Sequence, residues 1–297
     1  MGKSRLALEI ANKFDAEIIN ADSRQVYRYM DIGTDKPTVA QMAAVPHHLF
    51  NIINPDEDFG LAQFQELARR TIRDIHERDK LPLLVGGSGQ YVWALLEGWK
   101  VPRIPPDREF RKASEDSAAK NGIEGLYRRL QDIDPESAKK IDKRNIRRVI
   151  RALEVALHSD KPFSALQKKD APDYTTLIIG LTAERKDLYR RIDLRVESMI
   201  QRGLVNETEN LIKMGYDYSL PAINSIGYKQ IGMVLRGEIS LDEAIERIKT
   251  HNHKFVRHQY TWFRLEDKRI HWFDVKNDID YEVMTLLSNS LTQLEPL

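Results

Sequence analysis

The first residues of the chain carry a candidate phosphate-binding site. Gly2, Lys3 and Ser4 match the last three positions of a P-loop, G-x-x-x-x-G-K-[ST], and an amphipathic helix follows them. In a P-loop, backbone N–H groups hold phosphate oxygens, the lysine neutralises them and the hydroxyl binds Mg²⁺. The tripeptide alone also arises by chance, but the helix and the strand behind it favour the phosphate site.

A second candidate is the carboxylate of Asp22, which directly follows the apolar stretch "AEIINA", a predicted buried strand. In open α/β sheets ligands bind at the carboxyl ends of the strands, so this carboxylate is expected close to the P-loop. It can act there as a general base or as a partner of Mg²⁺. The alternative is an Asx turn or a helix cap, since Asp-Ser after a strand is common capping chemistry.

A glycine-rich turn and an arginine-containing helix are two further candidates. The turn "GGSGQY" joins a predicted strand to a helix, which lets backbone amides approach a ligand but also suits a plain tight turn. In "NIRRVIRALEV", Arg147, Arg148 and Arg151 lie opposite an apolar helix face. Such a stripe can bind phosphates, or it can be a solvated face that pairs with acids of nearby helices.

The segment "HNHKFVRHQYTWFR" mixes cations with aromatic residues, a combination used to bind single-stranded nucleic acids. We expect Phe255, Trp262 and Phe263 to be core residues rather than stacking platforms. His251 and His253 are two residues apart, so on a helix they point to different faces and form a poor metal pair.

The order of predicted elements indicates the fold. Strands and helices alternate over the first hundred residues, which is typical of a parallel α/β sheet. The proline-rich "VPRIPPDREF" predicts a linker, the next sixty residues read as charged helices, and "TLIIGLT" restores a core strand. We therefore predict an α/β fold: a P-loop NTPase-like parallel sheet core, residues 1–107 and 173–297, with an inserted all-helical domain, residues 108–172. The tail beyond Phe273 is expected to be peripheral.

Composition narrows the class of protein. The 297 residues include 46 basic and 45 acidic side chains, so a polyanionic partner must be bound by local basic patches. There is no cysteine, which excludes disulfides and thiolate metal sites. No stretch reaches the roughly 18 consecutive apolar residues of a membrane span. These features predict a cytoplasmic protein without a membrane segment.

Taken together, the motifs resemble those of the tRNA dimethylallyltransferases, also called tRNA isopentenyltransferases. The matching stretches are "GKS", "ADSRQVYRYMDIGTDKP", "VPHHLFNI", "LPLLVGGSGQYVWALLEG", "IRRVIRALEV", "RGLVNETENL", "INSIGYKQ" and "RHQYTWFR". They follow the family's order from about Gly2 to Phe273. The second of them is long and specific to the family.

The resemblance implies transfer of a dimethylallyl group from dimethylallyl diphosphate to N6 of the adenosine 3′ of the anticodon. It implies Asp22 as the base, with Ser88, where the family usually has threonine, near the substrates. It implies binding of the diphosphate by Gly2, Lys3, Ser4 and Arg5, with Mg²⁺ as cofactor on Ser4. The implied contacts to the tRNA anticodon stem-loop are Asp22, Ser23, Arg24, Gln25, Arg111, Arg147, Arg148, Val149, Ile150, Arg151 and Arg257.

Three departures from the family pattern qualify these implications. The strand and the first glycine of the P-loop are absent from the sequence, so a protein that began at Met1 would be expected to have weak stability and little activity. Asn224 stands where some members have arginine or glutamine. Arg257 and His258 replace a Lys-Arg pair, which favours Arg257 for the phosphate contact.

Two other functions remain compatible with the residues. A P-loop kinase of small metabolites shares "GKS", the α/β core and Mg²⁺, and a tRNA-binding relative without catalysis fits the incomplete P-loop. Transfer of the allyl group to free adenine nucleotides is disfavoured by the basic helix of the insertion. We expect the chain to act as a monomer.

Overall fold

The computed structural model describes residues 2–159, 162–166, 169–170, 172 and 174–293. Its described residues form two compact units, one within Met1–Gly60, Phe64–Val92 and Tyr174–Leu297, the other within Leu61–Gln63 and Trp93–Asp173. The predicted insertion, residues 108–172, falls inside the longer segment of the second unit, which begins earlier, at Trp93. The predicted boundary at Asp173 lies outside the described residues.

The helices and strands of the described residues follow one another in chain order. They are α1 (Lys3–Lys13), β1 (Ala16–Ala21), α2 (Val39–Ala44), β2 (His47–His48), α3 (Leu61–His76), β3 (Leu81–Gly86), α4 (Gly89–Leu96), α5 (Arg108–Asn121), α6 (Glu124–Ile133), α7 (Pro135–Lys140), α8 (Ile146–Leu157), α9 (Phe163–Leu166), β4 (Ile178–Thr182), α10 (Arg185–Gln201), α11 (Leu204–Lys213), α12 (Tyr228–Leu235), α13 (Leu241–Trp262), β5 (Ile270–Asp274) and α14 (Asp280–Thr292).

The first unit contains two parallel sheets. In one, β1 is the central strand between β2 and β3, and in the other β4 pairs with β5. The register of the first sheet sets Ala16 opposite Leu81 and Ala21 opposite Gly86. Because β1 and β3 end side by side, the residues that follow each strand share one edge of the sheet.

The apolar pattern of α1 explains how it covers the sheet. Leu6 and Ile10 are buried against Val283 and Leu287 of α14, whereas Ala7 and Ala11 face the cluster around β1. The small alanines allow close approach to the strand, and β1 itself is buried at every position. The expectation that the tail beyond Phe273 is peripheral is wrong, because α14 buries one face in this core.

A second core of the first unit is built by α10 to α13. Val196, Leu204, Tyr228 and Ile248 are buried there, and Val26, Tyr27 and Met30 of the segment after β1 join the same cluster. That segment, residues 22–37, contains no helix or extended strand. Its apolar side chains are therefore anchored by the helices rather than by a backbone ladder of its own.

The second unit is helical, as predicted for the insertion. Leu130 of α6, Ile141 after α7, and Val149 and Leu153 of α8 form its buried cluster. Asp134 caps the N-terminus of α7 and accepts hydrogen bonds from the backbone N of Ser137 (3.1 Å) and the hydroxyl of Ser137 (2.6 Å). This cap fixes the corner between α6 and α7.

Candidate active site

Asp22 and Ser88 lie together at the shared edge of the sheet. The backbone N of Ser23 donates to Oγ of Ser88 at 3.1 Å, and the backbone N of Ser88 donates to the carbonyl of Ala21 at 3.2 Å. Two turns after neighbouring strands are thereby joined directly. The sequence had suggested this edge, and the structure brings the two predicted catalytic residues to it.

The Asp22 carboxylate forms an Asx turn. Its Oδ1 accepts the backbone N–H of Arg24 at 2.8 Å, and its own N–H donates to Oδ1 of Asn20 at 2.8 Å. Asn20 is fully buried and also donates to the carbonyl of Leu49 at 3.0 Å. Among the described residues Oδ2 of Asp22 has no hydrogen-bond partner, so the turn and a role as base are compatible.

The glycine-rich turn after β3 is tightly covered by α13. The amide of Gln259 donates to the carbonyl of Gly87 at 3.0 Å. A Cβ at Gly89 would come within 2.2 Å of the Trp262 ring, and a Cβ at Gly86 within 2.2 Å of the backbone of Ala21. The glycines therefore permit the close approach that positions Ser88.

Lys3 and Arg195 supply positive charge beside Asp22. Burial lowers the pKa of the Lys3 ammonium, Asp22 opposes that shift and Arg195 adds to it, so the three charges act on one another. The Nε of Arg195 is buried without a hydrogen-bond partner among the described residues, while Nη2 donates to Oδ1 of Asn252 at 3.2 Å. Gly2, before Lys3, has φ 93°, a left-handed conformation that suits glycine.

Sequence reasoning missed Arg195. It belongs to the segment "ERKDLYRRIDLRVESMIQRG", which contains six basic residues. No neighbouring residue in the sequence distinguishes Arg195 from the other five. A period-3.6 analysis would have placed Arg195 next to the buried Val196, but only the tertiary structure brings it to Lys3. Its signal is spatial rather than sequential.

Ser4 and Arg5 follow Lys3 in the first turn of α1, where both are exposed. Arg5 donates to both carboxylate oxygens of Asp280, at 2.7 and 2.9 Å, and to Glu9 at 2.6 Å. The hydrogen bonds from Arg5 lower the pKa of Asp280. Arg5 thus ties α14 to α1, and its predicted contact with the diphosphate stays a prediction.

The predicted tRNA residues after β1 also have internal partners. The amide of Gln25 donates to the carbonyls of Thr34 at 3.0 Å and Asp35 at 3.1 Å. Nη1 of Arg24 donates to the carbonyl of Pro221 at 3.0 Å. These bonds fix residues 22–25 relative to the rest of the first unit.

In the second unit, Glu154 gathers two of the predicted tRNA-contacting arginines. Arg111 donates to it through Nε at 2.8 Å and Nη2 at 2.7 Å, and Arg151 forms an ion pair with it. The backbone N of Asp107 adds a bond at 2.7 Å. Burial alone would raise the pKa of Glu154, but the hydrogen bonds from both arginines outweigh it and the pKa is lowered.

The remaining members of that predicted set fall into two groups. Arg147 and Arg148 are exposed and have no ion pair within the described residues, whereas Val149 and Ile150 are 0% and 2% exposed. Of these four residues, only the two arginines present their side chains to solvent. Arg151 does pair with an acid, but that acid, Glu154, lies on the same helix, α8, and not on a nearby one.

The last predicted tRNA contact lies near the end of α13. Arg257 is exposed, and its Nη1 donates to the hydroxyl of Tyr189 at 3.2 Å. Phe255 is 45% exposed, so its expected place in the core is wrong. Trp262, by contrast, packs on Gly89 as described.

The described residues contain no group of three or more His, Asp or Glu side chains that could together hold a metal ion. None of their helices combines the length and the apolar character needed to cross a bilayer. Magnesium bound by one or two protein oxygens and by substrate phosphates is compatible with such a donor set. The hydroxyl of Ser4, the predicted magnesium ligand, is an oxygen donor of that kind.

Comparison with known proteins agrees with the geometry. The family model described as IPP transferase matches residues 25–266. The tRNA dimethylallyltransferase of Dehalococcoides mccartyi is 48% identical over 290 residues, 98% of this chain and 89% of that protein. That of Thermomicrobium roseum is 46% identical over 282 residues, 95% of this chain and 85% of the relative.

Solved structures show the same likeness. The full-length tRNA isopentenylpyrophosphate transferase of Bacillus halodurans is 38% identical with a TM-score of 0.71, covering 99% of this chain and 93% of that one. A eukaryotic dimethylallyltransferase acting on tRNA is 27% identical with a TM-score of 0.82, covering 100% and 78%. The predicted fold class and enzyme class, a tRNA prenyltransferase, are confirmed. The chain belongs to the IPP transferase family, that of the tRNA dimethylallyltransferases.

Proposed function

We propose that this chain transfers a dimethylallyl group from dimethylallyl diphosphate to N6 of the adenosine 3′ of the anticodon. The observation that carries the proposal is that Asp22 and Ser88 meet at one sheet edge and that the charges of Asp22 and Arg195 both act on Lys3. A carboxylate beside two cations matches a reaction that needs a proton acceptor and a cradle for a departing diphosphate.

The reaction breaks the bond between the allylic carbon and the diphosphate oxygen and forms a bond from that carbon to N6. An adenine amine is a weak nucleophile, so the barrier depends on stabilising charge on the leaving group. Lys3 and Arg195 supply that charge; burial lowers the pKa of Lys3, and the carboxylate of Asp22 counters this by favouring the charged ammonium. Asp22 accepts the proton lost from N6.

The hydroxyl of Ser4 would hold Mg²⁺, which prefers hard oxygen ligands and keeps several of its own waters. When bound, the ion would add positive charge beside the diphosphate. Ser88 accepts the Ser23 N–H and so holds the Asp22 turn against the glycine-rich turn. This contact keeps the base in one place as the substrates bind.

The helical insertion is proposed to hold the anticodon stem-loop. The exposed Arg147 and Arg148 support contacts to phosphates, which position an RNA without reading its bases. Removing the target adenosine from its stack costs a few kcal/mol, which such contacts offset. The cytoplasmic location and the monomeric state stay predictions; a tRNA substrate and the lack of cysteine support the former.

The test is transfer to a synthetic anticodon stem-loop in the presence of Mg²⁺ and dimethylallyl diphosphate, read by mass spectrometry of the RNA. One dimethylallyl group should be added per RNA. A stem-loop with inosine at the target position lacks the exocyclic amine and should gain nothing. Modification of the inosine RNA, or phosphate transfer from ATP to a small molecule without RNA, would overturn the proposal and favour the kinase alternative.

A further inference from the structure

Glu207 of α11 has partners unlike those of other acidic side chains in the first unit. Its Oε2 accepts the backbone N–H groups of Asp31 at 3.1 Å and Ile32 at 2.8 Å. Its Oε1 accepts the backbone N–H of Gly33 at 3.1 Å. One carboxylate therefore binds three consecutive amides of a segment that has no helix or strand to satisfy them.

Tyr228 of α12 holds the other side of this carboxylate. Its hydroxyl donates to Oε1 of Glu207 at 2.7 Å, and its ring is fully buried. A Cβ at Gly33 would lie 2.6 Å from two ring carbons of Tyr228, so only glycine fits over the ring. Burial and the neighbouring Glu207 both raise the pKa of Tyr228, which keeps its proton on the hydroxyl.

The amides bound by Glu207 belong to the same segment as the catalytic turn. Gln25 reaches the carbonyls of Thr34 and Asp35, immediately after Gly33. Lys36, with its side chain 2% exposed, donates to Oδ1 of Asp31 at 2.7 Å and to Oδ1 of Asn51 at 2.6 Å. The position of Gln25, three residues from Asp22, therefore depends on the position of residues 31–36.

We propose that Glu207 is a positioning residue for the transfer reaction, an inference that rests on the proposed function. Hydrogen bonds from N–H groups to an ionised carboxylate are stronger than those between neutral groups. Three such bonds fix the backbone of residues 31–33. Through the hydrogen bonds of Gln25 to Thr34 and Asp35, this backbone also fixes Asp22 and the predicted tRNA contacts beside it. Glu207 does not touch either substrate; it acts through this segment.

The decisive variant is Glu207→Gln, which keeps the size of the side chain and removes its charge and one acceptor. The matched control is Glu209→Gln on the same helix, because the side chain of Glu209 is half exposed and pairs only with Lys213, at 2.9 Å, among the described residues. Hydrogen exchange of the full chain should speed up at the amides of residues 31–33 in Glu207→Gln alone. Unchanged exchange there would overturn the proposal without any activity measurement.

Kinetics supply the second readout. We expect kcat/KM for the stem-loop to fall about tenfold to 100-fold in Glu207→Gln, because a displacement of about 1 Å can have this effect. The KM for dimethylallyl diphosphate should change less than that for RNA, since Lys3 belongs to a different element. If kcat fell while both KM values stayed those of the parent, the fall would reflect only a smaller amount of folded, active enzyme. That result would overturn the positioning role.

Tyr228→Phe keeps the buried ring and removes one bond to Glu207, so it tests the inference even if Glu207→Gln does not fold. Tyr228→Phe should also change the KM for RNA more than the KM for dimethylallyl diphosphate, but by a smaller factor than Glu207→Gln does. Its effect should be smaller in the double variant with Glu207→Gln than in the parent. Additive effects would contradict a shared action. If the parent protein itself gives no transfer, the proposed function fails, whereas transfer by the parent with unaltered variants refutes only Glu207.

Discussion

Two glutamates organise the two units of this molecule in different ways. Glu207 in the first unit binds backbone amides and a phenol, and Glu154 in the second binds Arg111 and Arg151. The first arrangement fixes a segment without using any charged group that the reaction requires. The second uses two of the arginines that are predicted to contact RNA.

The difference separates positioning from binding. In the first unit Asp22 keeps an oxygen without a described partner because amides and carbonyls hold the loop around it. In the second unit the fold needs Arg111 and Arg151 to neutralise a buried carboxylate. Exposed Arg147 and Arg148 have no such duty. Substitutions should therefore separate activity, stability and affinity according to which set they affect.

The largest expected effect is that of Asp22→Asn on the rate of transfer. The asparagine oxygen can still accept the Arg24 N–H and preserve the Asx turn, but it cannot take a proton at neutral pH. We expect kcat to fall about 10²-fold to 10⁴-fold, the usual contribution of a general base. Single-turnover assays with saturating substrates measure it.

Binding of the stem-loop should survive in this variant, with an affinity close to that of the parent. Asp242→Asn is the matched control, because it makes the same substitution at an exposed carboxylate in the first turn of α13, outside the candidate site. A normal rate in Asp22→Asn would remove Asp22 as the base and leave the sheet edge without a proton acceptor.

Glu154→Gln should have the largest effect on stability. It leaves two arginines facing a neutral amide, and breaking a buried charge network in this way costs about 3 kcal/mol. Urea unfolding followed by circular dichroism measures the change. Exposed Glu136→Gln, which pairs with Lys139 on α7, should leave the unfolding midpoint unchanged. Equal midpoints for both variants would contradict the organising role of Glu154.

Arg147→Ala and Arg148→Ala should weaken RNA binding without altering stability. Each lost phosphate contact should reduce the slope of log affinity against log salt by about 1. Arg151→Ala should weaken binding and destabilise the fold, because it also removes a partner of Glu154. Fluorescence anisotropy with the stem-loop at several salt concentrations gives the slopes.

The control for these variants is Arg144→Ala, which removes an exposed arginine that is already paired with Asp142 at 2.7 Å. Its salt slope should match that of the parent. If Arg144→Ala changes the slope as much as Arg148→Ala does, the contact is a general property of basic surface and the stripe is not a specific phosphate site.

Much of the fold could be predicted because its signals are local. The strand before Asp22, the glycine-rich turn after β3 and the helices α3 and α13 follow from apolar periodicity and from glycine position. The fold class followed from the alternation of these elements. The rule that ligand sites lie at the carboxyl ends of parallel strands predicted a ligand-facing position for Asp22, whereas Ser88 was singled out only by the family resemblance.

What could not be predicted depends on contacts between distant residues. Nothing in the sequence near Arg5 indicates that it pairs with Asp280, and nothing near Glu207 indicates three amides 174 to 176 residues away. Arg111 pairs with Glu154 across 43 residues of sequence, and this distant contact is what makes Glu154, with Arg151 one turn before it, a buried ionic centre. The peripheral tail was misjudged for the same reason, since its partners lie on α1.

The smallest expected effect concerns pH and the cap of the second unit. Burial raises the pKa of Asp134, but hydrogen bonds from the hydroxyls and backbone N–H groups of Ser137 and Ser164 outweigh it, and the pKa is lowered. A folded pKa below the unfolded one means that the ionised group stabilises the fold above the unfolded value, about pH 4 for an aspartate. That stability is lost as pH falls through the folded value.

Urea unfolding at a series of pH values measures this dependence, and Asp134→Asn should flatten it over the acid range because asparagine does not titrate. A residual decline should remain, since the lowered pKa of Glu154 has the same sign. Asp217→Asn is the control: its pKa is also lowered, by Ser219, but the side chain is exposed and lies in the first unit. An acid decline as steep in Asp134→Asn as in the parent would show that the cap does not carry this stability. The acid sensitivity of the second unit would then belong to Glu154, and the contrast between its ionic centre and the amide-bound Glu207 would become sharper.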